Sequence, residues 1–146
     1  MKQKFRKAVF ILTYRKTIFG VKYLLLKRKL HWTGWEFPKG GIEPKEKPIE
    51  AAAREIKEET GQTPSNIKKY KFSGKYLYNQ KFPDRKGIFG QTYQLFSAEL
   101  KNKKAKIDRR EHSTYKWASF KKAIKLLTWE NQKQSLRIVK KTINNL

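Results

Sequence analysis

The sequence predicts a mixed α/β layered domain, and three observations carry that prediction. Segments of strand character come first, one amphipathic helix follows, more strands succeed it, and two helices close the chain. At 146 residues the chain is long enough for one domain with a real hydrophobic core. No repeat, low-complexity stretch or linker divides it, so residues 1–146 are expected to form a single unit.

Phe5 to Tyr14 is rich in Val, Ile and Phe and reads as a buried strand. Residues 16–20 turn the chain, and Val21 to Leu26 completes a hairpin that closes in the basic run Lys27, Arg28, Lys29. Leu30 to Gly34 is a loop, and Trp35 to Phe37 is a short extended piece before Pro38. The central helix takes Pro48 in its first turn and Gly61 as the residue that ends it. At roughly 100° per residue, Ile49, Ala52, Ala53, Ile56 and Thr60 share the face expected to pack inward.

Lys68 to Tyr78 is the next strand, with Tyr70, Phe72, Tyr76 and Tyr78 on even positions. Gln80 to Gly90 contains Pro83, Asp84 and two glycines and is a loop. Gln91 to Leu100 is a strong strand, residues 101–106 form a Lys-rich turn, and Glu111 to Ala118 is a further strand. Ser119 caps a helix through Leu127 whose inner face is Ala123, Leu126 and Leu127. Asn131 to about Ile143 is the last helix, with Leu136, Val139 and Ile143 at helical spacing.

Composition narrows the function classes. No run of eighteen apolar residues occurs, so no membrane span and no membrane partner are expected. The start, MKQKFRKAVFIL, fails as a signal peptide because Tyr14, Arg15 and Lys16 follow without a small-residue cleavage site. The absence of cysteine removes disulfides and thiolate metal sites, and a cytoplasmic location is the simple expectation. The net charge of +24 fits attraction for polyanions such as nucleotide polyphosphates, inositol phosphates or RNA. Equally, 28 of the 36 basic residues are Lys, spread through nearly every segment, as an AT-rich genome would produce. Charge therefore supports an anionic substrate without identifying it.

The acids are distributed differently. Seven of the 12 fall between Glu36 and Glu59, in WEFPKGGIEPKEKPIEAAAREIKEETG. On the helix, Glu55, Glu58 and Glu59 fill an arc of about 100°, and Arg54 and Lys57 point away from most of it. Carboxylates so placed repel one another unless a cation sits among them, which suggests a divalent metal. Taken alone, those five residues are more simply a solvated helix face.

The wider spacing alters that balance. Gly40, Glu46, Arg54, Glu55, Ile56, Glu58, Glu59 and Gly61 fit the signature G-x5-E-x7-R-E-U-x-E-E-x-G-U, with U a bulky aliphatic. Here the chain resembles the Nudix hydrolases, with the box at residues 40–62. Gln62 departs from the aliphatic at the last position, which affects packing rather than chemistry. The resemblance implies a Nudix fold, a mixed curved β-sheet sandwiched between α-helices.

The resemblance also implies roles. Glu55, Glu58, Glu59 and the Gly40 carbonyl would hold Mg²⁺, a hard cation suited to oxygen ligands, with Mn²⁺ as a substitute. Arg54 would orient a box carboxylate, Glu46 would support the network from the loop, and Glu55 would be the first choice of general base. In EHSTYKW, Glu111 precedes Trp117 by six residues, as does a metal-binding or base Glu in relatives that cleave dinucleoside polyphosphates or RNA 5′ ends. His112 beside it reads as a loop or surface residue. Lys39, in FPKGG, would place a point charge on a substrate phosphate. The tail YKWASFKKAIKLLTWENQKQSLR is similar to the ends of dinucleoside polyphosphate hydrolases, which extends the resemblance over most of the chain.

A nucleotide base needs a flat partner, and Tyr76, Tyr78, Phe82, Tyr93 and Tyr115 are candidates, although aromatics at alternate strand positions are usually core. Arg6, Lys27 and Arg28 could line the phosphate path. The expected activity is Mg²⁺-dependent hydrolysis of a dinucleoside polyphosphate such as diadenosine tetraphosphate, giving ATP and AMP. The alternatives are an RNA 5′-end pyrophosphohydrolase, a diphosphoinositol polyphosphate or oxidised-nucleotide hydrolase, and a non-catalytic Nudix module that binds RNA or nucleotides. Monomer and dimer both stay open, as do the metal count and the choice of Glu55 or Glu111 as base.

Overall fold

Alternation along the first strand, β1 (Lys4–Thr17), sends large apolar side chains to both sides of a sheet. Phe10, Leu12 and Tyr14 enter one hydrophobic layer, and Val9 and Ile11 enter the other. The structure, a computed structural model, describes residues 4–78 and 82–143. Gln80 and Lys81, which open the loop expected over 80–90, lie outside the described residues.

The further elements are β2 (Gly20–Arg28), β3 (Gly34–Glu36), β4 (Lys39–Gly41), α1 (Pro48–Thr60), β5 (Ser65–Leu77), β6 (Ile88–Glu99), β7 (His112–Ala118), α2 (Phe120–Leu126) and α3 (Glu130–Ile143). The sheet runs β3–β2–β1–β6–β5, with β4 also paired to β1 and β7 to β2. β1 and β6 are parallel and the other pairs are antiparallel, so the sheet is mixed. Ala51, Ala52 and Ile56 of α1 cover one layer, and Ala123, Leu136, Val139 and Ile143 of the last two helices cover the other. A mixed sheet between helices is the architecture that the order of elements predicts.

One feature of the sheet places the site. β1 and β2 pair only from Tyr14 to Thr17. Earlier in β1, β4 occupies that flank, with Gly40 opposite Val9. This short strand brings the chain around Gly40 beneath α1.

Helix α1 is turned slightly from the expected face. Ile49 is 47% exposed and Ala53 half-buried, whereas Ala51 and Glu59 are buried. The reason lies at the other end of the helix, where Glu59 Oε2 accepts the backbone N–H of Lys39 in β4 at 3.2 Å. Gly61 ends the helix with φ 76°, and its N–H donates to the Lys57 carbonyl at 2.9 Å. Gln62 is not a packing residue; its Nε2 donates to the carbonyls of Asn102 and Lys104 at 2.9 Å each, holding the Lys-rich turn. β7 starts at His112, so Glu111 stands in the turn before the strand. Among the described residues no helix is long and apolar enough to cross a membrane.

Ile56 is fully buried where α1 meets the sheet. Ile56→Ala is expected to lower unfolding stability by about 2–4 kcal/mol, read as a shift in urea midpoint at unchanged slope. A shift below about 0.5 kcal/mol would mean that α1 is not anchored there.

Candidate active site

Arg54 does not point away from the acidic arc; its long side chain turns back across it. Nε and Nη2 donate to the two carboxylate oxygens of Glu46 at 2.8 and 2.9 Å. Nη1 donates to Glu55 at 2.8 Å and Glu58 at 3.3 Å, and Nη2 also reaches the Gly41 carbonyl at 2.8 Å. One planar guanidinium thus ties together the loop, β4 and two helix carboxylates. The Arg54 hydrogen bonds hold Glu46 down to about 2 and raise the arginine above its ordinary value.

Glu55 and Glu59 are driven the opposite way. Burial pushes Glu55 up to about 7 against the pull of Arg54, and Glu58 and Glu111 add to the rise. Glu59 rises well above the carboxylate range through burial and then the nearby Glu55, Glu36 and Glu111. Gly40 makes the approach of β4 to α1 feasible, because a Cβ there would collide with the Glu55 carboxylate. Donor atoms of Glu59, Glu111 and His112 lie within 4.8 Å of one another. Two of the three are carboxylates, which suit a hard divalent ion, and of the histidine's nitrogens Nε2 is engaged by Glu36 while Nδ1 has no hydrogen-bond partner. Buried, crowded carboxylates of raised proton affinity fit such an ion.

Beneath this cleft Glu36 stands at the centre of a buried polar cluster. His112 is fully buried, not a loop or surface residue, and its Nε2 is 2.8 Å from Glu36 Oε2. Arg28 Nη1 donates to the same oxygen at 3.3 Å, and Lys39 Nζ lies 3.4 Å from Oε1. Burial alone would raise Glu36, but Lys39, the His112 hydrogen bond and Arg28 together hold it down to about 2. Arg28 also stands 3.8 Å from Glu111. A signal for Glu36 existed, since an acid between Trp35 and Phe37 in an extended segment needs buried partners.

The cleft, of about 130 Å³, gathers Arg6, Arg28, Lys39, Gly40, Glu55, Glu58, Glu59 and Glu111. Beside it an aromatic cavity of about 420 Å³ is walled by Trp32, Tyr76, Tyr78, Phe82, Tyr93 and Trp129. Lys39 and Arg85 line both spaces. Arg85 donates to the Tyr78 hydroxyl at 3.0 Å and lies over the Tyr78 and Phe82 rings at 5.4 and 5.7 Å. Its neighbour Asp84 contacts His31 Nε2 at 3.1 Å, which tethers this segment to the body. Arg85, Trp32 and Trp129 were not foreseen; a loop arginine carries no distinguishing signal in a chain with 36 basic residues.

Two candidates fall elsewhere. Lys27 lies over the Trp35 ring at 5.9 Å, because strand alternation that turns Arg28 to the cleft turns Lys27 from it. Tyr115 pairs with Leu26 and is partly buried against the layer under α1, apart from the residues that line the aromatic cavity.

The opposed carboxylate shifts give a signed pH dependence. Between 4.5 and about 7 the folded state holds protons on Glu55 and Glu59 that the unfolded chain releases, so stability falls as pH rises. Glu36 and Glu46 contribute stability that is complete above 4.5 and is lost toward about 2. In chelator, the melting temperature should therefore peak near about pH 5 and decline toward about 7.5, where Mg²⁺ restores it far more than at pH 5. A flat profile, or equal Mg²⁺ stabilisation at both pH values, contradicts this.

The NUDIX domain family model matches residues 4–138. Over 131 residues the chain is 28% identical to the bis(5′-nucleosyl)-tetraphosphatase (asymmetrical) of Caenorhabditis elegans, covering 90% of this chain and 91% of that protein. A crystal structure of a C. elegans Ap4A hydrolase binary complex is similar with a TM-score of 0.77 at 26% identity, covering 97% of this chain and 99% of the other. A 40-residue stretch is 45% identical to an RNA pyrophosphohydrolase of Xanthomonas campestris, covering 27% of this chain and 20% of that protein. With the match extending over nearly its whole length, the chain belongs to the Nudix family of hydrolases.

Proposed function

We propose that this protein is a Mg²⁺-dependent pyrophosphohydrolase of dinucleoside polyphosphates, converting diadenosine tetraphosphate and water to ATP and AMP. The observation that carries this reading is an aromatic cavity joined, through Lys39 and Arg85, to a carboxylate cleft. Such a cavity accepts a base by stacking, and the shared cations suit the phosphate chain that leaves it. Similarity to the C. elegans tetraphosphatase over 90% of this chain supports the same substrate class.

Glu55, Glu58, Glu59, Glu111 and the Gly40 carbonyl would hold the ion, Mg²⁺ or Mn²⁺. When bound, the ion offsets phosphate charge and makes water more acidic. The side chains perform the rest. Tyr78 and Phe82, backed by Arg85, would stack the base, while Lys39, Arg6 and Arg28 meet phosphate oxygens. Glu55, with its proton affinity raised to about 7, would take the proton from the attacking water, with Glu111 the alternative base. Arg54 and Glu46 would keep Glu55 in position, the arginine by the 2.8 Å hydrogen bond and Glu46 by gripping the arginine.

Glu58→Gln and Glu59→Gln are each expected to reduce turnover on the order of 100-fold or more while the chain stays folded. Full turnover of both variants at saturating Mg²⁺ would sink the metal assignment. Diadenosine tetraphosphate, 5′-triphosphate RNA, oxidised dGTP and a diphosphoinositol phosphate should be assayed side by side. Selective release of ATP and AMP from the first is expected; exclusive pyrophosphate release from RNA would overturn the substrate reading.

A further inference from the structure

Lysine carries its charge on a flexible four-carbon stem, so a fixed ammonium position requires an anchor and costs side-chain entropy. Lys39 has such an anchor. Its side chain is 14% exposed, and Nζ lies 3.4 Å from Glu36 Oε1. Glu36 is itself fully buried and fixed from two other strands, because Oε2 is taken by His112 Nε2 of β7 and Arg28 Nη1 of β2. Oε1 has no hydrogen-bond partner, which leaves it to the Lys39 ammonium. A buried carboxylate held by two partners on one oxygen, the Arg28 guanidinium and the His112 ring, presents the other in a defined direction.

We propose that Glu36 is a positioning residue, whose carboxylate, oriented by His112 and Arg28, holds the Lys39 ammonium at the junction of the aromatic cavity and the carboxylate cleft. The consequence for phosphate rests on the function proposed above; the anchoring does not. Glu36 touches no reacting atom in this arrangement. It acts by limiting where Lys39 can meet a phosphate oxygen once a base fills the cavity. Removing its charge frees Lys39 without removing a cation from the cleft. Binding therefore persists while the productive geometry is lost, which lowers kcat rather than raising KM.

Two readouts test this. An anchored lysine ammonium exchanges protons slowly enough to give a ¹H–¹⁵N resonance, whereas a freely solvated one does not. The wild type should show a resonance that Lys39→Met abolishes, which assigns it, and that Glu36→Gln also abolishes while cooperative unfolding is retained. Its persistence in Glu36→Gln overturns the anchoring. In turnover of diadenosine tetraphosphate, Glu36→Gln should lower kcat about tenfold or more with KM changed less than about threefold. The Glu36→Gln/Lys39→Met double variant should be no slower than Lys39→Met alone; multiplying effects would overturn the proposal, since independent structural damage multiplies. Should Glu36→Gln fail to fold, Glu36→Asp keeps the buried charge, withdraws it from Lys39 and carries the same expectations. If the wild type cleaves no dinucleoside polyphosphate, the functional reading fails, and the ammonium spectra alone decide the anchoring.

Discussion

Carboxylates crowd together where α1 passes β4, and the surrounding structure is arranged around their mutual repulsion. Glu59 is buried and Glu55 partly buried against a short strand, where a Cβ at Gly40 would collide with the Glu55 carboxylate. Arg54 offsets part of the repulsion from the solvent side, gripping Glu46 with two nitrogens and reaching Glu55 and Glu58 with the third. Below, Arg28, His112 and Lys39 enclose Glu36. Where Glu55, Glu59 and Glu111 face one another the nearby cations do not offset burial and repulsion, and the proton affinity of Glu55 and Glu59 is raised.

Charge of the opposite sign is graded outward from that gap. The chain has 36 basic residues, yet the cleft uses only a few, and four of them, Arg6, Arg28, Arg85 and Arg110, are arginines. Arg6 is packed beneath Gly41, and burial followed by Arg85 holds its pKa below the usual arginine value. Fixed guanidinium forks in a confined space define where an anion can sit, in a way that mobile surface lysines do not. The net charge can draw polyanions from a distance, while these few cations and the aromatic cavity define what fits.

Much of the architecture was legible because its periodicities are strong. The even-numbered aromatics Tyr70, Phe72 and Tyr76 of β5 pack on the layer under α2 and α3, and Leu136, Val139 and Ile143 of α3 lie buried there. The signature was legible because most of it is local, set on one helix and the loop before it. The sequence does not reveal orientation where that depends on a long side chain or on register between distant strands. A helical wheel gives the direction in which Arg54 leaves the axis, not the path by which it returns to Glu55. Lys27 and Arg28 are indistinguishable until β2 is registered against β3 and β7. His112, at a strand start among polar residues, gives no sign of burial until Glu36 comes to meet it from 76 positions away.

The proposed activity requires the acidic gap to be a site for a divalent ion that replaces protons. Calorimetric titration of Mg²⁺ into chelator-stripped protein at about pH 6.5, in buffers of differing ionisation enthalpy, measures that exchange directly. Saturable binding with net release of protons to the buffer, abolished when Glu59 is replaced by Gln, is the predicted result. Binding with no proton release, or binding unchanged without the Glu59 carboxylate, would contradict it.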